Sequence, residues 1–326
     1  MPIAVTGSIA TDHLMKFEGR FADSLVVEQL DKISVSFLVD DLQVRRGGCG
    51  ANISFGLAAL GLRPVLVGAV GRDFDEYRGW LEDHGVDCGG VLVSTTQHTA
   101  RFVCTTDETH AQFATFYAGA MSEARDIDLA ALHAERGFDL VLVGPDDPDG
   151  MLRHTQTCRD LGIPFAADPS QQLAFADGET IRGLVDGATY LFTNEYEAAL
   201  TERRTGWSAD EIAARVGTRV ITRGADGVTV QAAGQAPVEV AAVPDVLAVD
   251  PTGVGDSFRA GFLAAIEVGL GLERAAQVGC ALAAGVVETT GTQEYELRRG
   301  PFGKRFAGAY GSDAWDEVAG VLSVPE

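Results

Sequence analysis

The stretch Asp250-Pro251-Thr252-Gly253-Val254-Gly255-Asp256-Ser257-Phe258 combines a glycine turn, a carboxylate and the start of a helix. Residues Ser257 to Ala265 read as apolar and helical. A helix N-terminus carries unpaired N–H donors and about half a positive charge, so Gly253, Val254 and Gly255 would open an anion cradle. Asp256 sits where a carboxylate can take a proton from an attacking hydroxyl. Cradle plus base is the minimum equipment for phosphoryl transfer. A helix N-cap after an ordinary tight turn uses the same residues.

Other clusters could hold what such a centre acts on. Arg45-Arg46-Gly47-Gly48-Cys49-Gly50-Ala51-Asn52 is glycine-rich, which lets a ligand approach the backbone. Asn52 falls one turn into an expected helix, where its amide can donate and accept as vicinal hydroxyls require; it could equally cap a neighbouring strand. Asp12 follows the first strand, at the carboxyl end where open α/β sheets bind ligands; a turn aspartate is the alternative. Asn194 and Glu197 lie three apart on one helical face and offer oxygen to Mg2+, directly or through water. The same pair suits a helix cap with an acidic first turn. Thr222-Arg223-Gly224-Ala225-Asp226-Gly227 could frame a nucleotide or turn a hairpin into Val228-Thr229-Val230.

The elements around these clusters alternate. Apolar runs at Ile3–Thr6, Val65–Ala69, Leu140–Val143, Phe165–Ala167, Tyr190–Thr193 and Val220–Thr222 are expected strands, with helices at Asp73–Asp83, Pro148–Leu161 and Ser208–Arg215. That rhythm predicts an α/β fold with a mostly parallel sheet between helical layers. Two helical runs are expected between Asp256 and about Thr289, split at Gly269-Leu270-Gly271-Leu272. Ile33–Val39, Arg101–Thr105 and Gln112–Phe116 alternate at period two and predict a small separate sheet. Such a sheet could be a lid over the site, a surface that pairs with a second copy, or a plain hairpin extension. No linker or repeat divides the 326 residues, so one domain spanning 1–326 is expected, its lid strands inserted roughly within 14–45 and 98–118.

The net charge of −22 argues against nucleic acid and anionic membrane partners, which need clustered Lys and Arg. Five scattered cysteines suit neither a zinc site nor a disulfide framework. With no signal peptide or long apolar run in the sequence, a cytoplasmic location is expected. Gly7-Ser8-Ile9-Ala10-Thr11 is not G-x-G-x-x-G, which disfavours a nicotinamide dehydrogenase.

Taken in order, Gly47-Gly48 with Asn52 and Leu60-Gly61, then Asn194 and Glu197, then Thr222, Gly224 and Gly227, then Asp250 to Asp256, resemble the PfkB/ribokinase family of carbohydrate and nucleoside kinases. The resemblance runs from Ile3 to about Glu294. Two residues depart from it: Pro251 stands where most members have Thr, and Val254 where most have Ala. Within the family, Ala4 to Met15, Ser36-Phe37-Leu38-Val39-Asp40-Asp41, Ala166 to Leu173 and Asp250 to Asp256 are similar to the adenosine kinases of mycobacteria.

The resemblance implies a ribokinase-like three-layer α/β/α sandwich with a β-sheet lid. It implies transfer of phosphate from ATP to the 5′-hydroxyl of adenosine, with Mg2+, possible dependence on K+, and a homodimer joined through the lid strands. Asp256 would be the base and the turn from Gly253 to Gly255 the anion hole. Ser8, Asp12, Gly48 and Asn52 would hold the ribose. Phe102 and Phe116 would sandwich adenine, Gln171 and Gln172 would read its edge, and Ser36 and Phe37 would reach substrate, Phe37 from the neighbouring subunit. Asn194, Thr222, Gly224 and Gly227 would frame ATP, with Asn194 and Glu197 positioning the metal. A kinase of ribose or another small sugar is the near rival; a nucleoside-binding regulator without catalysis and a purely structural dimer module are the distant ones.

Overall fold

The computed structural model describes residues 2–326. Its strands are β1 (Ile3–Thr6), β2 (Ala10–Lys16), β3 (Asp41–Gly47), β4 (Val65–Val70), β5 (Asp87–Val93), β6 (Ala100–Thr106), β7 (Gln112–Tyr117), β8 (Leu140–Val143), β9 (Phe165–Ala167), β10 (Tyr190–Asn194), β11 (Thr218–Thr222), β12 (Val228–Ala232) and β13 (Val238–Val240). Nine of them form one sheet in the order β13-β12-β11-β10-β9-β8-β1-β4-β5. Pairing is parallel from β11 through to β5 and antiparallel at the β11-β12-β13 edge.

Continuous burial explains the short apolar strands. Every residue of β1, β4 and β8 is buried, as a sheet covered on both faces requires. Ile3, Val5, Leu140 and Leu142 point into one core with Phe258, Phe262 and Leu263 of the helix Val254–Glu267. Ala4, Val67, Val141 and Val143 point into the other, with Met151 and Cys158 of the helix Pro148–Leu161. The result is the expected three-layer α/β/α sandwich. The C-terminal helical region divides as expected, into Val254–Glu267 and Leu272–Val287. No helix among the described residues is long and apolar enough to cross a membrane.

The strand order reverses direction between β1 and β8, which opens a crevice at their carboxyl ends. The loops leaving these two strands are joined where the Ser8 N–H donates to the Pro145 carbonyl at 2.9 Å.

Four strands form the second sheet, in the order β3-β2-β6-β7. The period-two segments at 101–105 and 112–116 are β6 and β7. The expected strand Ile33–Val39 is not a strand: residues 33–39 have no regular structure. Phe37 instead enters a ring cluster with Phe17, Phe21 and Phe113 at the end of the lid, and the place beside β2 is taken by β3. An extended segment that buries one ring can alternate in sequence without pairing to a sheet.

Candidate active site

The helix Val254–Glu267 begins in the crevice. Its N-cap, Gly253, has φ 75°, the left-handed region that favours glycine. Helix geometry leaves the N–H groups of Val254, Gly255 and Asp256 without the i−4 acceptors of later turns. Asp256, half-buried, receives a hydrogen bond from Asn52 Nδ2 at 2.9 Å on Oδ2. Burial pushes its carboxyl above the ordinary range, while the Arg259 guanidinium and the Asn52 bond pull it back.

A network that the sequence reading missed fixes the Asn52 amide. Asn52 Oδ1 accepts from Thr292 Oγ1 and from Gln293 Nε2, both at 2.9 Å. With two donors facing its oxygen, its NH2 group must face Asp256. Gln293 Nε2 also donates to Tyr77 Oη at 2.6 Å, and the Tyr77 hydroxyl donates to the Gly47 carbonyl at 2.9 Å. Thr292, Gln293 and Tyr77 come from segments far from Asn52 in sequence, and no local pattern marks them.

Gly48 turns the chain into the helix Cys49–Ala59 at φ 93°. A Cβ on Gly48 would lie 2.5 Å from the Ser8 carbonyl oxygen, so only glycine fits. The turn lets Ser8 bind it twice: Ser8 Oγ accepts from the Cys49 N–H and the Ser8 carbonyl from the Gly50 N–H, each at 3.0 Å.

The lid lays one row of side chains across its four strands: Arg45, Asp12, Phe102 and Phe116 occupy paired positions on β3, β2, β6 and β7 and share a face. Asp12 therefore lies within a strand, not in a turn. Burial raises its pKa to about 6, with Arg45 lowering it and Asp250 raising it. Arg45 reaches from the lid to Asp250 Oδ2 at 3.4 Å. Phe102 and Phe116 are direct cross-strand neighbours on that face.

On the other side of the helix start, Thr222, Gly224, Gly227, Pro251, Val254 and Gly255 line a cavity of about 660 Å³, walled mainly by apolar residues that include Val243, Phe258 and Ala284. The Gly224–Asp226 turn closes the β11–β12 hairpin, one of the two readings its sequence allowed, and Gly224 and Gly227 also line this cavity.

Asn194 and Glu197 form a capping box: Asn194 Oδ1 accepts from the Glu197 N–H and Glu197 Oε2 from the Asn194 N–H, both at 2.8 Å. Among the described residues no group of three or more His, Cys, Asp or Glu could hold a metal. Gln172 Nε2 donates to the Asp146 carbonyl at 2.9 Å, Gln171 is exposed, and so is Ser36.

The model of the pfkB family of carbohydrate kinases matches residues 20–298. A nucleoside kinase of Methanothermobacter thermautotrophicus is 31% identical over 290 residues, covering 87% of this chain and 92% of its own. The nucleoside kinase of Burkholderia thailandensis in complex with inosine is 36% identical with a TM-score of 0.81, over 95% of this chain and 98% of its own. The ribokinase of Bacillus subtilis is 28% identical, covering 84% and 88%. With a glycine-capped helix start and its carboxylate in one crevice, these matches make the chain a member of the pfkB carbohydrate kinase family, an ATP-dependent sugar or nucleoside kinase of ribokinase fold.

Proposed function

We propose that this kinase phosphorylates the 5′-hydroxyl of adenosine, giving AMP and ADP. The row Asp12, Phe102 and Phe116 carries the proposal: a carboxylate that can accept from a ribose diol stands beside two aromatic faces that can floor a purine. Stacking of a base on an aromatic ring is worth about 1–3 kcal/mol, more than a bare sugar could draw from the same residues.

With the nucleoside seated, Asn52 and Asp12 hold the ribose hydroxyls, and Ser8 and Gly48 shape the floor beneath. Asp256 takes the 5′-hydroxyl proton as that oxygen attacks the γ-phosphorus and the bond to ADP breaks. The N–H groups from Gly253 to Asp256 meet the charge on the moving phosphoryl group. The apolar cavity beside Thr222, Gly224 and Gly227 suits the adenine of ATP. Both side chains of the Asn194–Glu197 pair already cap a helix, which fits a role through water; Mg2+ bound there with ATP would neutralise charge between the phosphates. A K+ site fits less well: Asp250 already accepts from the Thr252 and Gly291 N–H groups and faces Arg45.

A panel of adenosine, inosine, guanosine and ribose, read by ADP release, tests the substrate. Adenosine should lead on kcat/KM; equal turnover of ribose would defeat the nucleoside assignment. Asp256→Asn should lose at least ~10²-fold in kcat while still binding adenosine. We also infer a homodimer. The face of the lid turned away from Asp12 exposes Leu42, Val44 and Phe113, and exposed apolar strand faces seek cover. Val44→Glu should shift the mass seen by light scattering from dimer to monomer; a wild-type monomer would refute this.

A further inference from the structure

One turn beyond Asp256 on the same helix stands an arginine with no part in the scheme above. Arg259 is 7% exposed and interrupts an otherwise apolar run. Its Nη2 donates to Asp168 Oδ1 at 2.6 Å and to Ser170 Oγ at 3.2 Å. Its Nε lies 2.6 Å from Asp168 Oδ2, a close ion contact whose angle falls short of a hydrogen bond. Ser170 Oγ donates in turn to Asp168 Oδ1 at 2.7 Å. Asp168 is 1% exposed and follows β9, so the pair ties the helix to the carboxyl edge of the sheet. The remaining nitrogen, Nη1, lies against the anion-hole turn: a Cβ added to Gly255 would sit 2.7 Å from it.

A buried ion pair is a poor way to gain stability, because apolar residues of similar volume often do as well or better. A fixed positive charge beneath an anion hole has another use. We propose that Arg259, anchored by Asp168, is an electrostatic positioning residue that keeps Asp256 in the carboxylate form needed to accept the substrate proton. The proposal rests on Asp256 being the base.

The groups facing Asp256 are few. Asn52 and Cys49 come from the helix Cys49–Ala59, Arg259 from its own helix, Asp168 from the end of β9 and Tyr295 from the segment after Gln293. Glu197 faces Arg259 from across the site. Burial pushes both the Cys49 thiol and the Tyr295 hydroxyl up, so neither carries charge at neutral pH. The charges that remain are Arg259, which favours the Asp256 carboxylate, and Asp168, which opposes it.

These opposite effects give a test that a structural role cannot imitate. Arg259→Gln and Asp168→Asn break the same ion pair. Arg259→Gln should move the acid limb of the kcat/KM profile upward by about one pH unit, since removing a positive neighbour eases protonation. Asp168→Asn should move it downward, by less. The double variant Arg259→Gln/Asp168→Asn removes both buried charges, so it should recover thermal stability yet keep a raised limb. Acid limbs at the wild-type position in all three variants, with activity following Tm alone, would overturn the proposal. Asp256→Asn measured in parallel separates the two claims: normal turnover there would refute the base itself, whereas an inactive Asp256→Asn beside unmoved limbs would refute only Arg259.

Discussion

Replacing Gln293 by leucine should leave stability nearly unchanged and still slow the enzyme. Gln293 is 1% exposed, and its Nε2 serves both Asn52 and Tyr77, while its Oε1 is buried with no hydrogen-bond partner among the described residues. Gln293→Leu removes two hydrogen bonds, each worth about 0.5–1.5 kcal/mol net, but also removes an unpaired buried oxygen that costs about 1–3 kcal/mol. Tyr77 keeps its bond to the Gly47 carbonyl and Asn52 keeps Thr292. The net change in unfolding free energy should therefore fall within about 2 kcal/mol of zero. Asn52, held by one donor instead of two, can turn its amide away from Asp256. A loss of about 1 kcal/mol in holding that geometry corresponds to roughly a fivefold drop in kcat/KM. Urea unfolding and steady-state kinetics with adenosine measure both quantities on one preparation. Gln293→Glu should be worse on both counts, because it sets a carboxylate against the Asn52 oxygen. A Gln293→Leu protein that lost more than about 3 kcal/mol but kept wild-type kinetics would show the network to be a packing strut, unconnected with Asp256.

Two further outcomes follow from local physics. Gly48→Ala should cost about 1–3 kcal/mol for its φ of 93°, with a further penalty for the clash against Ser8, and should raise KM for the nucleoside; an unchanged urea midpoint would contradict the turn geometry. Burial raises the Asp146 pKa to about 8, with the Asp147 N–H bond opposing. A carboxyl that titrates higher folded than unfolded contributes stability that is whole below about pH 4 and lost as pH rises through about 8. Asp146→Asn should remove that decline and raise Tm most at the alkaline end; parallel Tm-against-pH curves for the two proteins would refute it.

Much of the central layer was legible because its physics is local. Ile3–Thr6 and Leu140–Val143 are buried on both faces and could be read from continuous apolarity alone, with the bounds the structure gives them. The turn from Gly253 to Asp256 was legible for the same reason, since a glycine turn and the helix it opens are consecutive residues. The lid was half hidden. Asp12 and His13 on β2 and the charged residues of β3 dilute the alternation of a strand, whereas Ile33–Val39 alternates well and pairs with nothing. The Phe102–Phe116 pairing depends on cross-strand register, which residue types do not disclose. Tyr77, Thr292, Gln293 and the Arg259–Asp168 pair stayed invisible because their meaning lies in long-range contacts.

The position of β1 has a consequence for how the molecule is made. It is made before the other strands of its sheet, yet it sits inside that sheet, with Ala4 beside Val65 on one edge and beside Val141 on the other. Until β8 has been synthesised, one edge of β1 has no partner, and its apolar faces lack the second half of the sheet. Non-local pairing of this kind is slow to form and exposes sticky strands meanwhile. The nascent chain is thus at its most aggregation-prone while β1 to β7 are complete and β8 is still missing, and a chaperone that shields β1 would raise yield more than one that acts on the finished protein.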